Sequence, residues 1–393
     1  MANEFFFISL TIITGFAATL VFERTKISQV ILLMLFGFLL GPVLGLLNVS
    51  SGSIIVSMLP FISTLALIFL LFDGGVEFDV FSVARSIPKS MLFTFLVFGL
   101  SVVLVGGFSY FVLGWPLLQG LLLGAVTGGS SSAIVIAMVE KTNTSKETKS
   151  LLTVESTMTD ALCIITAIIL VQLITANQAP EAGTVVGLLL SSFTTAILMG
   201  VLGAGLWMFV LGKFRIERYS YMLMLALIFA LFALTESIKA SGGVAVFVFG
   251  IILGNARKIG KFAKIDWENP MKSMMRQFQD EVTFFVRTFF FVYIGLLLSL
   301  DYFNTNVILI TLGLIAVYAL ARLIISRLVL GGILPKDRNV IVSMMPRGLA
   351  AAVLATLPLT SGIDIPDFQQ LVFGVLLFSN IAATLGVFLS DRP

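Results

Sequence analysis

The run Thr153-Val154-Glu155-Ser156-Thr157-Met158-Thr159-Asp160-Ala161-Leu162-Cys163 sets two carboxylates inside residues 149–176, a segment otherwise apolar enough to cross a bilayer. Ionisable groups at membrane depth are expensive, and they persist where a partner, a water-filled cavity or a bound cation offsets the cost. Helical geometry divides the pair, because positions four apart share a face while positions five apart differ by roughly 140°. Ser156 and Asp160 form one face, where a carboxylate and a hydroxyl can hold a dehydrated alkali cation, oxygen being the ligand that hard cations take. Glu155 and Thr159 form an adjacent face, from which Glu155 can pair with an arginine. The competing reading makes both acids a salt-bridge network that fixes helix packing; two arginines neutralising both would leave no cation site.

Composition sets the class. A chain of 393 residues with 58% hydrophobic and 11% charged residues and a mean hydropathy of +1.09 is a polytopic membrane protein, with the lipid bilayer as its surroundings. The single cysteine, Cys163, rules out an internal disulfide and a cysteine-based metal site. Histidine is absent, which leaves Asp, Glu and Lys as proton carriers near neutral pH. No cofactor is implied.

Thirteen apolar segments can be laid out at about 5–22, 27–47, 54–72, 88–113, 116–139, 149–176, 183–212, 219–238, 242–255, 282–300, 305–330, 338–358 and 367–389. The connections after odd-numbered segments carry the basic residues. They hold Arg24 and Lys26; Arg85 and Lys89; Lys141, Lys146 and Lys149; Lys213, Arg215 and Arg218; the six between Arg257 and Arg276; and Lys336 and Arg338. The even-numbered connections hold Lys239 alone. By the positive-inside rule the N-terminus is outside and the C-terminus cytoplasmic, an alternation that inserting or deleting one helix would scramble. The net charge of +3 is thus a topological signal, and no nucleic-acid partner is implied. The first segment has no basic leader region and carries Glu4, so it reads as a retained helix. Residues 256–281 mix basic residues with Phe262, Trp267, Met274 and Phe278, which predicts an amphipathic helix on the cytoplasmic surface. The chain stops soon after the last segment, so neither a soluble domain nor a soluble partner is expected.

Arg287, Arg322, Arg327 and Arg347 fall inside predicted spans. Arg327 lies near a helix end and can snorkel; the others need partners. Asp73 and Glu77 sit at the cytoplasmic end of the third segment, where solvation is the simpler explanation, although Asp73 could line an entrance. Two segments are interrupted: the fifth by Thr127-Gly128-Gly129-Ser130-Ser131-Ser132, the twelfth by Met345-Pro346-Arg347-Gly348. Glycine tolerates unusual dihedrals and proline removes a donor, so both runs can break a helix at membrane depth, which is tolerated around a cavity. The interrupted segments stand seven apart, and an odd separation reverses direction across the bilayer. The expected fold is therefore all-α, with about thirteen transmembrane helices in two inverted six-helix repeats and a pair of crossed broken helices near a transport site.

Glu155-Ser156-Thr157-Met158-Thr159-Asp160 resembles the Glu-Ser-x-x-Asn-Asp signature of the NhaP/NHE-type branch of the monovalent cation:proton antiporters. Pro346-Arg347-Gly348-Leu349-Ala350 looks like the Arg-Gly segment of that family, Phe72-Asp73-Gly74-Gly75-Val76-Glu77-Phe78 like its third-helix end, and Arg322 like its eleventh-helix arginine. The likeness runs over nearly the whole chain and implies an NhaA-like antiporter fold. It also implies a homodimer in the cell membrane, in which a core domain (88–176 and 305–389) moves against a dimerisation domain (5–72 and 219–300), with 183–212 as the linking helix. Asp160 would then carry the cation or the proton and Ser156 would add a ligand. Glu155 would pair with Arg347 or Arg322, and oxygens at Thr127 and Thr159 would shape the rest. Two departures bear on cation choice: Thr159 stands where the family usually has Asn, and Thr-Gly-Gly-Ser stands where this branch often has Thr-Asp-Pro.

The expected activity is electroneutral exchange of Na+ (or Li+) for H+. A K+/H+ exchanger is the nearest alternative. A gated cation channel is a rival of another class, weakened by the lack of a recognisable selectivity filter. A membrane-embedded enzyme lacks a base for Ser156, since there is no histidine.

Overall fold

The computed structural model describes residues 2–25, 28–45, 59–78, 80–81, 88–140, 142–176, 182–214, 220–263, 273–298, 304–331 and 335–390. Every regular element among them is helical: α1 (Ala2–Thr25), α2 (Gln29–Phe38), α3 (Leu59–Glu77), α4 (Pro88–Phe108), α5 (Leu117–Thr127), α6 (Ser132–Val139), α7 (Lys146–Ala176) and α8 (Ala182–Phe214). The series continues with α9 (Ser220–Ser237), α10 (Gly242–Ala263), α11 (Ser273–Leu297), α12 (Thr305–Val329), α13 (Pro335–Ser343), α14 (Leu349–Leu354), α15 (Leu357–Thr360) and α16 (Phe368–Ser390). The reason is elementary. In lipid each backbone N–H and C=O must be satisfied within its own segment, and a helix does that.

Within the described residues, each of the thirteen apolar segments overlaps a helix or a set of shorter helical pieces. Eight of the helices among the described residues are long and apolar enough to cross a membrane unaided. The chain is a multi-pass membrane protein. Of the stretch 256–281, expected as an amphipathic surface helix, residues 256–263 prolong α10, residues 273–281 open α11, and residues 264–272 lie outside the described residues. Ser273-Met274-Met275-Arg276-Gln277-Phe278 has no Gly or Pro to stop a helix, so the next span propagates backwards through it. Asp79, another acid of the third segment's end, also lies outside the described residues.

The contacts divide the chain into two compact units, 1–63, 87–171 and 285–393 in one and 64–86 and 172–284 in the other. In the first unit, Phe93 and Val97 from α4 pack with Val135 and Met138 from α6. Leu152 from α7, Ile325 from α12, Ile341 from α13 and Val387 from α16 complete this buried core. The same unit ties down the start of α7. Ser145 caps it by accepting the Thr148 N–H at 3.2 Å. Ser145 and Thr148 hydroxyls donate in turn to Asp337 Oδ2 at 2.5 and 2.9 Å. A carboxylate at that position also complements the positive end of the helix.

In the second unit, Gly75 of α3 meets the backbone of Gly250 on α10, and Gly254 meets that of Val76. Small residues of this kind let two helices in lipid approach closely. Asn255 Nδ2 adds a bond to Phe78 O at 2.8 Å across the same seam.

Candidate functional site

Both expected helix breaks are present. The chain leaves helical geometry between Thr127 and Ser132 and again between Ser343 and Leu349, over Gly128, Gly129, Pro346 and Gly348. The two gaps touch. Ser131 N donates to Pro346 O at 2.8 Å, and Arg347 Nη1 donates to Gly129 O at 2.7 Å. A third element closes the account of freed backbone groups: Arg347 N donates to Ser379 Oγ at 3.1 Å and Asn380 Nδ2 donates to Arg347 O at 2.7 Å, both from α16. Non-helical backbone at this depth needs such substitutes.

The approach leaves no room for side chains at two glycines. A Cβ on Gly348 would collide with the side chain of Ser131, and one on Gly129 would lie 2.5 Å from Cys163 Sγ and 3.0 Å from Thr159 O. Gly129→Ala is accordingly expected to cost about 1–3 kcal/mol through overpacking. Cys163→Ala in the same chain should return part of that loss, because it removes the sulfur atom in the way. Thermal unfolding of the two single variants and the double variant checks the coupling; equal losses with and without the cysteine would contradict it.

The two acids of α7 meet opposite fates. Glu155 is 1% exposed and Arg322 is 2% exposed. They form a bidentate pair, Arg322 Nη1 to Glu155 Oε1 at 2.6 Å and Nη2 to Oε2 at 2.8 Å. Arg322 Nε donates to Ile341 O at 2.7 Å, and Ser130 Oγ donates to Glu155 Oε1 at 3.1 Å. Of the two arginines open to Glu155, the pairing goes to Arg322. Arg347 instead holds the first break through Gly129 O, and its guanidinium lies 4.5 Å above the ring of Tyr318, where the π-face takes the place of an anion.

Asp160 is half-buried and takes no arginine. Its Oδ2 accepts from Ser132 Oγ at 2.8 Å and from Ser132 N at 3.2 Å, the first N–H of α6. Among the described residues no lysine or arginine pairs with it. Ser156 and Thr159 flank it on α7 with their hydroxyls directed elsewhere. Ser156 Oγ donates to Thr153 O at 3.1 Å. Thr159 Oγ1 accepts from Ser130 N and donates to Ser156 O, both at 3.2 Å, so it braces the first break. Thr127 Oγ1 donates to Leu123 O at 2.5 Å and meets the Tyr318 hydroxyl.

Ser132 and Tyr318, like Ser130, Ser379 and Asn380, are site residues that the sequence does not single out. Ser132 closed the hydroxyl run of the fifth segment in plain view. Tyr318 stood four residues before Arg322, on the same helix face. Asp73 and Glu77 belong to the second unit; Asp73 is half-buried and accepts from Thr283 Oγ1 at 3.4 Å, while Glu77 is exposed. Arg287 is half-buried on α11 and Arg327 is exposed in the last turn of α12.

Comparison with known proteins adds four findings. The profile of the family described as "Sodium/hydrogen exchanger, transmembrane" matches residues 8–390. A protein of Methanocaldococcus jannaschii described as a probable Na+/H+ antiporter is 25% identical over 377 residues, covering 92% of this chain and 86% of its own length. A K+/H+ antiporter of a Shewanella species is 26% identical over 335 residues, covering 82% of this chain. This chain spans about half of that relative's length, 55%. Among solved structures, the sodium proton antiporter MjNhaP1 of M. jannaschii superposes with a TM-score of 0.74 at 22% identity, over 98% of this chain and 94% of that one. The fold is therefore that of an antiporter.

Proposed function

The chain belongs to the transmembrane sodium/hydrogen exchanger family, and on that footing we propose that it exchanges Na+ for H+ across the membrane by competition at Asp160. The observation that carries this is the unequal treatment of two acids five residues apart. Glu155 is sealed against Arg322, whereas Asp160 keeps exposed surface and, among the described residues, accepts hydrogen bonds from Ser132 alone. A lone carboxylate beside a broken helix can hold one proton or one monovalent cation, and not both. With either aboard it is neutral and the loaded protein can reorient; empty, it is an uncompensated charge in a low-dielectric setting and is held back. One charge against one charge makes the exchange electroneutral. The transported ions are cargo, and the cycle requires no resident cofactor.

Around Asp160, Ser156, Thr159 and Thr127 are candidate oxygen donors on the neighbouring backbone turns, and Arg322, Glu155 and Arg347 form the brace that holds those turns. Asp73 and Glu77 are candidate entrance residues. The charge alternation supports an outside N-terminus and a cytoplasmic C-terminus in the plasma membrane. The working unit is a homodimer, in which residues 88–176 and 305–389 move against residues 5–72 and 219–300 through the linking helix 183–212.

A second reading, K+/H+ exchange, is favoured by the K+/H+ relatives and by Thr159 in place of the family's Asn. Initial rates of proton flux in proteoliposomes with Na+, Li+ and K+, with and without a potential clamp, decide between them. The expected result is saturable flux, fastest with Na+ or Li+ and insensitive to the clamp. Fastest flux with K+ would transfer the assignment to the second reading. Unitary currents would replace exchange with a channel.

A further inference from the structure

We infer that Ser132 supplies the hydroxyl oxygen that binds the transported cation beside Asp160, an inference that rests on the exchange reading above and names a ligand of the same site. Several hydroxyls surround the crossing, and their exposure separates them. Thr127, Ser130, Ser131, Ser156 and Thr159 are all buried, whereas Ser132 and Asp160 are both half-buried. A cation arriving from water meets an oxygen only where surface remains. The buried hydroxyls are also committed: Ser156 to Thr153 O, Thr127 to Leu123 O, Ser130 to Glu155. The Ser132 hydroxyl is bonded to the ion-carrying acid itself, 2.8 Å from Asp160 Oδ2.

That contact has three protonation and ligation states available without moving the backbone. A hydroxyl is one donor and two acceptor lone pairs. With Asp160 ionised and no cation bound, the hydroxyl donates to the carboxylate across the 2.8 Å contact. With Asp160 protonated, the acid proton is donated to Ser132 Oγ and the hydroxyl proton turns toward water. With a cation bound, both Ser132 Oγ and Asp160 Oδ2 point lone pairs at the ion, and the proton released from Asp160 leaves to water. Throughout, Ser132 N–H keeps its bond to the carboxyl group. The serine therefore stabilises each of the two loaded forms in turn, and it places the second oxygen that a hard cation requires. Because Ser132 is carried by α6 and Asp160 by α7, cation binding also ties the broken helix to its neighbour.

The test is Na+-dependent exchange in proteoliposomes, read as apparent KM and maximal rate, with Na+ binding measured by calorimetry on the same preparations. Ser132→Ala is expected to raise the apparent KM for Na+ about tenfold, the effect of losing one charge-assisted contact, with the maximal rate retained at saturating Na+. Ser132→Thr, which keeps the hydroxyl, should stay within about twofold of the parent. Should Ser132→Ala fail to fold, Ser132→Cys keeps the size and replaces oxygen with a soft sulfur that alkali cations avoid; it should lose affinity likewise. An unchanged KM in Ser132→Ala overturns the inference, as does an equal rise in Ser132→Thr. Asp160→Asn in the same assay keeps the two levels apart. If it exchanges normally the exchange reading falls, and if it is inactive while Ser132→Ala is unaffected the serine assignment alone falls.

Discussion

Replacing Glu155 with glutamine should cost about 3–5 kcal/mol of stability, because it leaves the Arg322 guanidinium buried without its counter-charge. The pair is bidentate and almost wholly withdrawn from solvent. Ser130 Oγ and Ile341 O, its other hydrogen-bond partners, are too weak to take over the neutralising role. The expected readout is a large loss of folded protein in detergent, with little change in apparent cation affinity for whatever remains active. Replacing both partners, Glu155→Leu with Arg322→Met, should recover much of the loss, since apolar pairs of similar volume often match a buried ion pair. A Glu155→Gln protein that is fully stable but binds cations poorly would turn this residue from a brace into a ligand.

Asp160→Asn should do the reverse. Asparagine has nearly the same shape, and its carbonyl oxygen can still accept from the Ser132 hydroxyl and N–H, so the stability change is expected to stay near about 1 kcal/mol. What it lacks is a charge to exchange. Cation-driven proton movement in proteoliposomes should fall to background while the protein remains folded. Normal exchange by Asp160→Asn would reject the assignment of the transported charge. Two carboxylates five positions apart thus give opposite phenotypes, one a loss of fold and one a loss of transport, because α7 turns them toward different neighbours.

How much of this was legible beforehand follows the reach of each signal. The breaks at Gly128-Gly129 and at Pro346–Gly348 were readable because local backbone chemistry dictates them. That they touch, Ser131 N to Pro346 O, depends on packing between segments more than two hundred residues apart and left no local trace. The need of Glu155 for an arginine was readable from the cost of burying a charge. Which arginine was not, since Arg322 and Arg347 both lie in apolar segments and spacing along one chain does not orient a distant helix. Ser156 was placed on the Asp160 face by helical geometry, and it is there. Serine in a helix, however, readily bonds back to a carbonyl one turn earlier, and Ser156 does so with Thr153 O. The hydroxyl that reaches Asp160 comes from Ser132 instead, 28 positions earlier in the chain. Over 256–281 composition located the amphipathic residues, but not that residues 256–263 continue α10 or that α11 begins at Ser273.

Proton release on cation binding tests the central claim most directly. Purified protein in weakly buffered detergent is titrated with NaCl at constant ionic strength across a pH series, and the protons set free are counted against the Na+ bound. Competition at a single carboxylate predicts a release that saturates with Na+ and approaches one proton per bound ion toward the acid end of the series, with none from Asp160→Asn. Sodium binding with no proton released, or an undiminished release from Asp160→Asn, would contradict it.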